Sequence, residues 1–242
     1  MWDDVPLMRN LSNLLAVASM SLLLYGAGHY LVHLPGVLPL QSVRLQVTPQ
    51  RVDAAAVLQA VRQQVSGNLL TLDIKGLQQR LEQLPWVRSA EVRREFPDHL
   101  SVNLTEYQAL ARWNNSALVS QQGEVFVADT GQELPLFIGQ EGTAAEVAAQ
   151  YAQFNRQLAR VNLHLTQLAL TPRHAWQLRL NNGLLLELGR EDVQQRLARF
   201  ITVYPYSLAL AQAEVQAVDL RYRNGFAVQF GQQQMSGTSR KS

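Results

Sequence analysis

The chain has 242 residues, a formal net charge of +2, 47% apolar and 17% charged residues, and no cysteine. These values suit folded domains rather than disorder and are too mild in charge to indicate a nucleic-acid partner. The lack of cysteine excludes disulfides, thiolate metal sites and cysteine nucleophiles.

From Asn10 to Val43 there is no Asp, Glu, Lys or Arg. The denser part, Leu11 to Leu34, would reach roughly 36 Å as a helix, against about 30 Å of bilayer hydrocarbon. It is expected to form a single N-terminal transmembrane helix over 11–34, with residues 1–10 on one side of the bilayer. A cleaved signal peptide is the rival reading, with Arg9 before the apolar core Leu14 to Leu24 and Gly26-Ala27-Gly28 as the cleavage site. The run continues through Tyr30, Leu31 and Val32, beyond the length of a typical signal core. Arg9 beside Asp3 and Asp4 gives no charge bias that sets orientation. His29 and His33 have helical ligand spacing but no third ligand nearby, and read as interfacial polar residues.

After Pro35-Gly36 and Pro39, Val43 to Val47 alternates as a strand. Asp53 can cap a helix whose apolar stripe is Ala54, Val57, Leu58, Val61 and Val65. Ser66-Gly67-Asn68 stops it. A second helix over Lys75 to Leu84 carries Leu77, Leu81 and Leu84, and Pro85 ends it. Trp86 and Val87 lead into a strand with Ala90, Val92, Arg94 and Phe96 on one side. Phe96-Pro97-Asp98-His99 is a turn, and Leu100, Val102 and Leu104 mark the next strand. The order is β-α-α-β-β, with both helices on one face of a small sheet.

A second unit begins near Ala109. Leu118-Val119 and Val125 to Val127 flank Gln122-Gly123 as a hairpin. Gly131, Pro135 and Gly139 to Gly142 read as loop. Thr143 and Glu146 form a capping box for a helix with the stripe Val147, Tyr151, Phe154, Leu158 and Val161. Leu165 to Leu170 is a strand. Trp176 to Leu180, Asn182-Gly183 and Leu184 to Leu188 form the clearest hairpin. Glu191 and Asp192 fall in the first turn of a helix with Val193, Leu197, Phe200, Ile201 and Tyr204 inward, ended by Pro205. Val215 to Arg221, Asn224-Gly225 and Phe226 to Phe230 make a closing hairpin. The polar tail 231–242 is expected to be disordered.

No G-x-S-x-G, H-E-x-x-H, phosphate-binding loop or dinucleotide fingerprint occurs. His99, His164 and His174 have no sequence neighbours that would make a triad or a metal set. What remains is a pair of small α+β units on an anchor, with sheet edges. A last strand with nothing after it can sit at an edge, where unpaired N–H and C=O groups accept another chain's strand.

Several short pieces then fall into a familiar order. They are Leu84-Pro85-Trp86, Phe96-Pro97-Asp98, Glu106-Tyr107 and Ala111-Arg112-Trp113-Asn114 in the first part of the chain. In the second they are Trp176-Gln177-Leu178, Leu188-Gly189-Arg190, Arg196 to Phe200, Tyr204-Pro205, and Asp219-Leu220-Arg221-Tyr222 with Gly225. Together they resemble the FtsQ/DivIB family of bacterial cell-division proteins, over almost the whole chain. The resemblance implies an α+β chain with a POTRA domain at 40–108, a mixed β domain with two helices at 109–230, and an exposed C-terminal edge strand. It implies a non-enzymatic divisome scaffold, with no cofactor, no nucleic acid and no small-molecule substrate. The chain would lie in the inner membrane at the septum, with its N-terminus cytoplasmic and its C-terminal domain periplasmic. The partners implied are the small membrane proteins FtsB and FtsL, with other divisome members reached through the POTRA domain and the membrane helix. Strand addition beside the last strand carries over to Arg173, Arg221, Tyr222, Asn224, Gly225, Phe226 and Val228. Ten residues precede the span, where family members often carry a longer basic tail. POTRA units also occur in envelope assembly factors that chaperone β-strands, the alternative function; those proteins normally continue into a barrel, and no barrel strands follow here.

Overall fold

The computed structural model describes residues 5–32, 40, 42–64, 68–210, 215–222 and 225–231. The chain divides into two compact units, Met1–Tyr107 and Gln108–Ser242.

The first unit opens with helix α1 (Val5–Val32). It takes in Val5 to Asn10, expected as a tail, in addition to most of the apolar run. Large apolar side chains between Leu14 and Tyr30 are exposed on every side of it. Among the described residues, no helix is long and apolar enough to cross a membrane. Ser12, Asn13, Ser19, Ser21 and His29 dilute the run, and the expected span over 11–34 is therefore not shown by the fold.

Strand β1 (Ser42–Leu45) is followed by α2 (Ala54–Gln64) and α3 (Ile74–Glu82), then β2 (Val87–Glu95) and β3 (His99–Glu106). β3 is central, parallel to β1 and antiparallel to β2. This is the β-α-α-β-β order expected from periodicity, with β1 ending two residues early. Val57, Val61, Leu77 and Leu81 bury their side chains in a core with Val92, Leu100 and Val102. Val65 and the Ser66-Gly67 stop lie outside the described residues. Asp53 accepts from the Ala55 N–H at 2.9 Å, as a cap should. Asp73, not anticipated, caps α3 by accepting from the Gly76 N–H at 3.0 Å. Arg94 has a specific structural task. Its guanidinium donates to the carbonyls of Leu69 and Leu72, each at 2.7 Å, and so pins the 69–72 loop to the end of β2.

The second unit carries a nine-stranded sheet. Its strands are β4 (Ala109–Trp113), β5 (Ala117–Ser120), β6 (Val125–Phe126), β7 (Leu136–Ile138), β8 (Leu165–Leu170), β9 (Trp176–Leu180), β10 (Leu185–Gly189), β11 (Val215–Asp219) and β12 (Ala227–Phe230). The spatial order is β12-β11-β10-β9-β8-β7-β4-β5-β6, with β12 at one end. Pairing is parallel for β4 with β7, β7 with β8 and β10 with β11, and antiparallel elsewhere. β4 and β7 were not anticipated; β7 falls between Pro135 and Gly139, which were read as loop.

Helices α4 (Ala144–Leu158) and α5 (Val193–Val203) complete the unit. α4 packs on β8, and α5 on α4 and β10. Val147, Phe154 and Leu158 of the expected α4 stripe are buried, with Tyr151 and Val161 half-buried at its margins. Gln194 of α5 donates to Gln150 and Gln153 of α4 at 3.0 and 2.9 Å, tying the two helices together. Two capping expectations change. Thr143 precedes α4, but its hydroxyl donates to the Gln140 carbonyl at 2.7 Å and makes no side-chain cap. Glu191 and Asp192 stand before α5, with Asp192 as its N-cap at φ +50°, and not in the first turn.

Candidate functional site

The site grows from the way the sheet ends. β11 lies parallel on β10 and pairs antiparallel with β12 on its other side. No strand among the described residues follows β12. Phe226 and Val228 turn towards the core, half-buried against the cluster that contains Leu186, Phe200 and Val218. Ala227 and Gln229 are exposed, and Phe230 is 53% exposed. Phe226 and Val228 are thus placed to anchor the edge strand from within, with main-chain groups left for pairing.

At the end of β10 and β11 lies a cleft of about 310 Å³, lined by Arg173, Ala175, Gly189, Arg190, Glu191, Arg196 and Arg221. Arg173 comes from the tight β8–β9 connection, where the Thr171 N–H donates to the Ala175 carbonyl at 2.9 Å. The fold therefore brings together Arg173 and Arg221, two of the residues singled out from sequence, and adds Arg190 and Arg196. With Glu191 on its wall and Glu187 and Asp219 paired to Arg221 behind it, the group holds four guanidinium groups and three carboxylates, a mild excess of positive charge.

Arg221 is already engaged within its own chain. Its Nε and Nη2 donate to the two carboxylate oxygens of Asp219 at 2.9 and 2.6 Å, and its backbone N–H donates to Asp219 Oδ1 at 3.0 Å. Nη2 also lies 3.2 Å from Glu187 Oε2. Glu187 and Asp219 are register partners across β10 and β11. Two carboxylates side by side would repel, and the Arg221 guanidinium between them offsets this. The hydrogen bond from Arg221 holds the Asp219 carboxyl below the usual carboxylate range, and Asp219 in turn pushes the Arg221 pKa further up.

Gly189 shapes the floor of the cleft. It sits at a register shift between β9 and β10, with φ +73°. A Cβ there would lie 2.9 Å from Arg196 Nη1 and 3.2 Å from Arg221 Cγ. Arg196 Nη1 is held by the Leu188 carbonyl at 2.6 Å and has little room to yield. Tyr222 stands beside this group with its carbonyl 3.4 Å from Arg199 Nη1 and its side chain outward. Gly225 is half-buried, with open space where a Cβ would stand. Asn224 lies outside the described residues.

Sequence reasoning quoted Gly189, Arg190, Arg196 and Asp219 only as motif residues and did not assign them, or Glu187, to the site. One signal was available: Asp219 and Arg221 are two apart on an extended segment and so share a face. A second concavity, about 440 Å³ around Arg112, Asp129 and Thr130, gathers no comparable set of charges. No cluster of three or more His, Asp or Glu suited to a metal ion occurs among the described residues.

A sheet edge that no further strand covers among the described residues, beside an arginine-lined cleft, is an arrangement suited to a scaffold built of two α+β units. Residues 111–221 match the family profile described as "Cell division protein FtsQ/DivIB, C-terminal", and residues 38–107 match "POTRA domain, FtsQ-type". The chain is 35% identical to the cell division protein FtsQ of Nitrosospira multiformis, over 94% of this chain and 98% of that one. It is 36% identical to FtsQ of Burkholderia pseudomallei, over 94% of each. It is 41% identical to FtsQ of Shewanella oneidensis, over 86% of this chain and 81% of that one. The chain belongs to the FtsQ/DivIB family of cell-division proteins. With that family come a divisome role and a non-enzymatic, scaffolding character.

Proposed function

We propose that this chain is a single-pass inner-membrane scaffold that binds the periplasmic segments of FtsB and FtsL by strand addition at β12. Residues 11–34 would cross the membrane, with 1–10 cytoplasmic. A POTRA domain at 40–108 and a β domain at 109–230 would face the periplasm at the septum, followed by a polar tail at 231–242. Other divisome members would be reached through the POTRA domain and the membrane helix. The observation that carries this reading is the position of β12 at the end of the nine-stranded sheet. The long edge of the POTRA-type sheet is blunted by comparison. Gln78 donates to the Ala90 carbonyl at 3.0 Å, and Glu82 accepts from the Ala90 N–H at 3.3 Å, so α3 side chains occupy β2 hydrogen-bonding groups that a visiting strand would need. Support for the anchor is the uncharged stretch from Asn10 to Val43 and the apolar side chains on every side of α1, the arrangement of a helix with apolar surroundings.

Within this reading, backbone groups of Phe226 to Phe230 set the partner's register. Tyr222, Arg173, Asn224 and Gly225 supply further contacts to the partner, and Arg221 presents a guanidinium clamped by Asp219. The full chain in nanodiscs, titrated with the periplasmic segment of FtsB alone and fused to that of FtsL, should show saturable binding. No binding to either would overturn the reading.

Two further results are expected. The folded-state pKa of Asp219 is depressed, so the clamp is complete above the unfolded value of about 3.9 and is lost only as pH falls through the lower folded value. Partner affinity measured by calorimetry should therefore not follow Asp219 titration between about pH 5 and 8. Gly189→Ala should weaken partner binding well beyond Gly183→Ala. Both glycines have positive φ, at +73° and +85°, and share the cost of about 1–2 kcal/mol for a left-handed residue with a Cβ. Only at Gly189 would the Cβ meet the cleft arginines, since nothing lies within 4 Å of that position at Gly183.

A further inference from the structure

We propose that the Phe96-Pro97 turn of the first unit, with Leu70 beside it, rests in the headgroup layer of the membrane that holds α1. This rests on the reading of α1 as an anchor.

Topology supplies the first argument. β1 runs parallel to β3 with Ser42 opposite His99, and the turn between β2 and β3 directly precedes His99. The chain therefore enters the sheet at the same end that carries Phe96 and Pro97. α1 ends at Val32 and β1 begins at Ser42. At about 3.4 Å per residue, this end of the sheet lies within roughly 34 Å of the end of α1. The intervening sequence includes Leu34, Val37, Leu38 and Leu40 and no charged residue. Such a connection favours the membrane interface over water.

Exposure supplies the second. Phe96 is 63% exposed at the tip of a hairpin, where a polar turn residue would normally stand. Leu70 is 38% exposed and belongs to the loop that Arg94 pins to the end of β2. Arg94 pairs in register with Leu100, one step from the turn. The two apolar side chains are thus held at one end of the unit, the end from which the anchor leaves. Val47 is also exposed but lies beyond the opposite end of β1, where the Gln46 N–H donates to the Val102 carbonyl. An aromatic and an aliphatic side chain on a tethered tip match the chemistry of the lipid headgroup–acyl boundary.

The chain has no cysteine, so single labels are placed without background. Phe96→Cys, Leu70→Cys, Val47→Cys and Leu23→Cys full-length chains would each carry a nitroxide in vesicles of phosphatidylethanolamine and phosphatidylglycerol, with no other protein present. Power-saturation spectroscopy would compare collisions with oxygen and with an aqueous nickel complex. Labels at 96 and 70 are expected at a depth of about 5–10 Å into the headgroup–acyl boundary. The label at 47 should be as open to nickel as a free nitroxide, and the label at 23 deep in the bilayer. A label at 96 as open to nickel as that at 47, with 23 in the bilayer, would overturn the proposal and spare the anchor. A label at 23 open to nickel would remove the anchor reading, and the membrane-contact proposal with it.

Discussion

Replacing Tyr222 by Ala should weaken binding of the FtsB segment at least tenfold, about 1.4 kcal/mol. Tyr222 is 58% exposed beside Arg221, at the chain's approach to β12. The preceding Arg221 N–H donates to Asp219 at 3.0 Å, and the Tyr222 carbonyl itself lies 3.4 Å from Arg199 Nη1. The ring therefore projects from an ordered backbone, and docking a partner against it orders little new chain. Tyrosine in such a position is often a hot spot, where truncation costs about 2 kcal/mol or more. The same exposure makes the folding effect small, within about 0.5 kcal/mol for a surface site. Calorimetric affinity together with an unchanged denaturation midpoint checks both halves of the expectation. An unchanged affinity in the folded variant would remove Tyr222 from the interface.

The largest effect on stability is expected for Phe154→Ala, about 3–5 kcal/mol. Phe154 is fully buried on α4 and meets Trp176 of β9 edge-to-face, with ring centroids 5.8 Å apart. One turn earlier, Tyr151 packs on Phe137 of β7 at 5.0 Å. These two contacts seat α4 on the middle of the sheet. Losing the first leaves a cavity in a core cluster whose members, Leu158 and Leu168 among them, are already fully buried. Since a whole domain is stable by only about 5–15 kcal/mol, the urea midpoint of the second unit should fall steeply. A change under 1 kcal/mol would mean that the helix is held from elsewhere, with the glutamine contacts between α4 and α5 the first place to look.

Much of this architecture was legible where local pattern and tertiary environment agree. Trp176 to Leu180 alternates strictly and meets Asn182-Gly183; the turn is a three-residue loop, 181–183, in which the Gly183 N–H donates to the Leu180 carbonyl and Gly183 takes the positive φ that closes it. The α4 stripe is long enough to show its period. Legibility failed where pairing is distant. β7 is a three-residue strand directly after Pro135, and it is a strand because β4 and β8 flank it in parallel from far along the chain. No window of sequence contains that information. The site divides the same way. Its edge strand and Tyr222 could be named from the last hairpin and the family resemblance. The cleft could not, because Arg173, Arg190, Arg196 and Arg221 converge only once β8–β9 and β10–β11 are in register. The intramolecular pairing of Arg221 was hidden for the same reason: Glu187 reaches it through the parallel pairing of β10 with β11.

Hydrogen exchange of the full chain, with and without the FtsB segment, tests strand addition most directly. Amides of Ala227 to Phe230 that point away from β11 have no strand partner among the described residues, and should exchange fast in the free protein. On binding they should gain protection, in alternation with neighbours already bonded to β11, while β2 of the first unit stays unchanged. Saturable binding with no new protection in β12, or with protection moved to β1 or β2, would contradict docking at this edge.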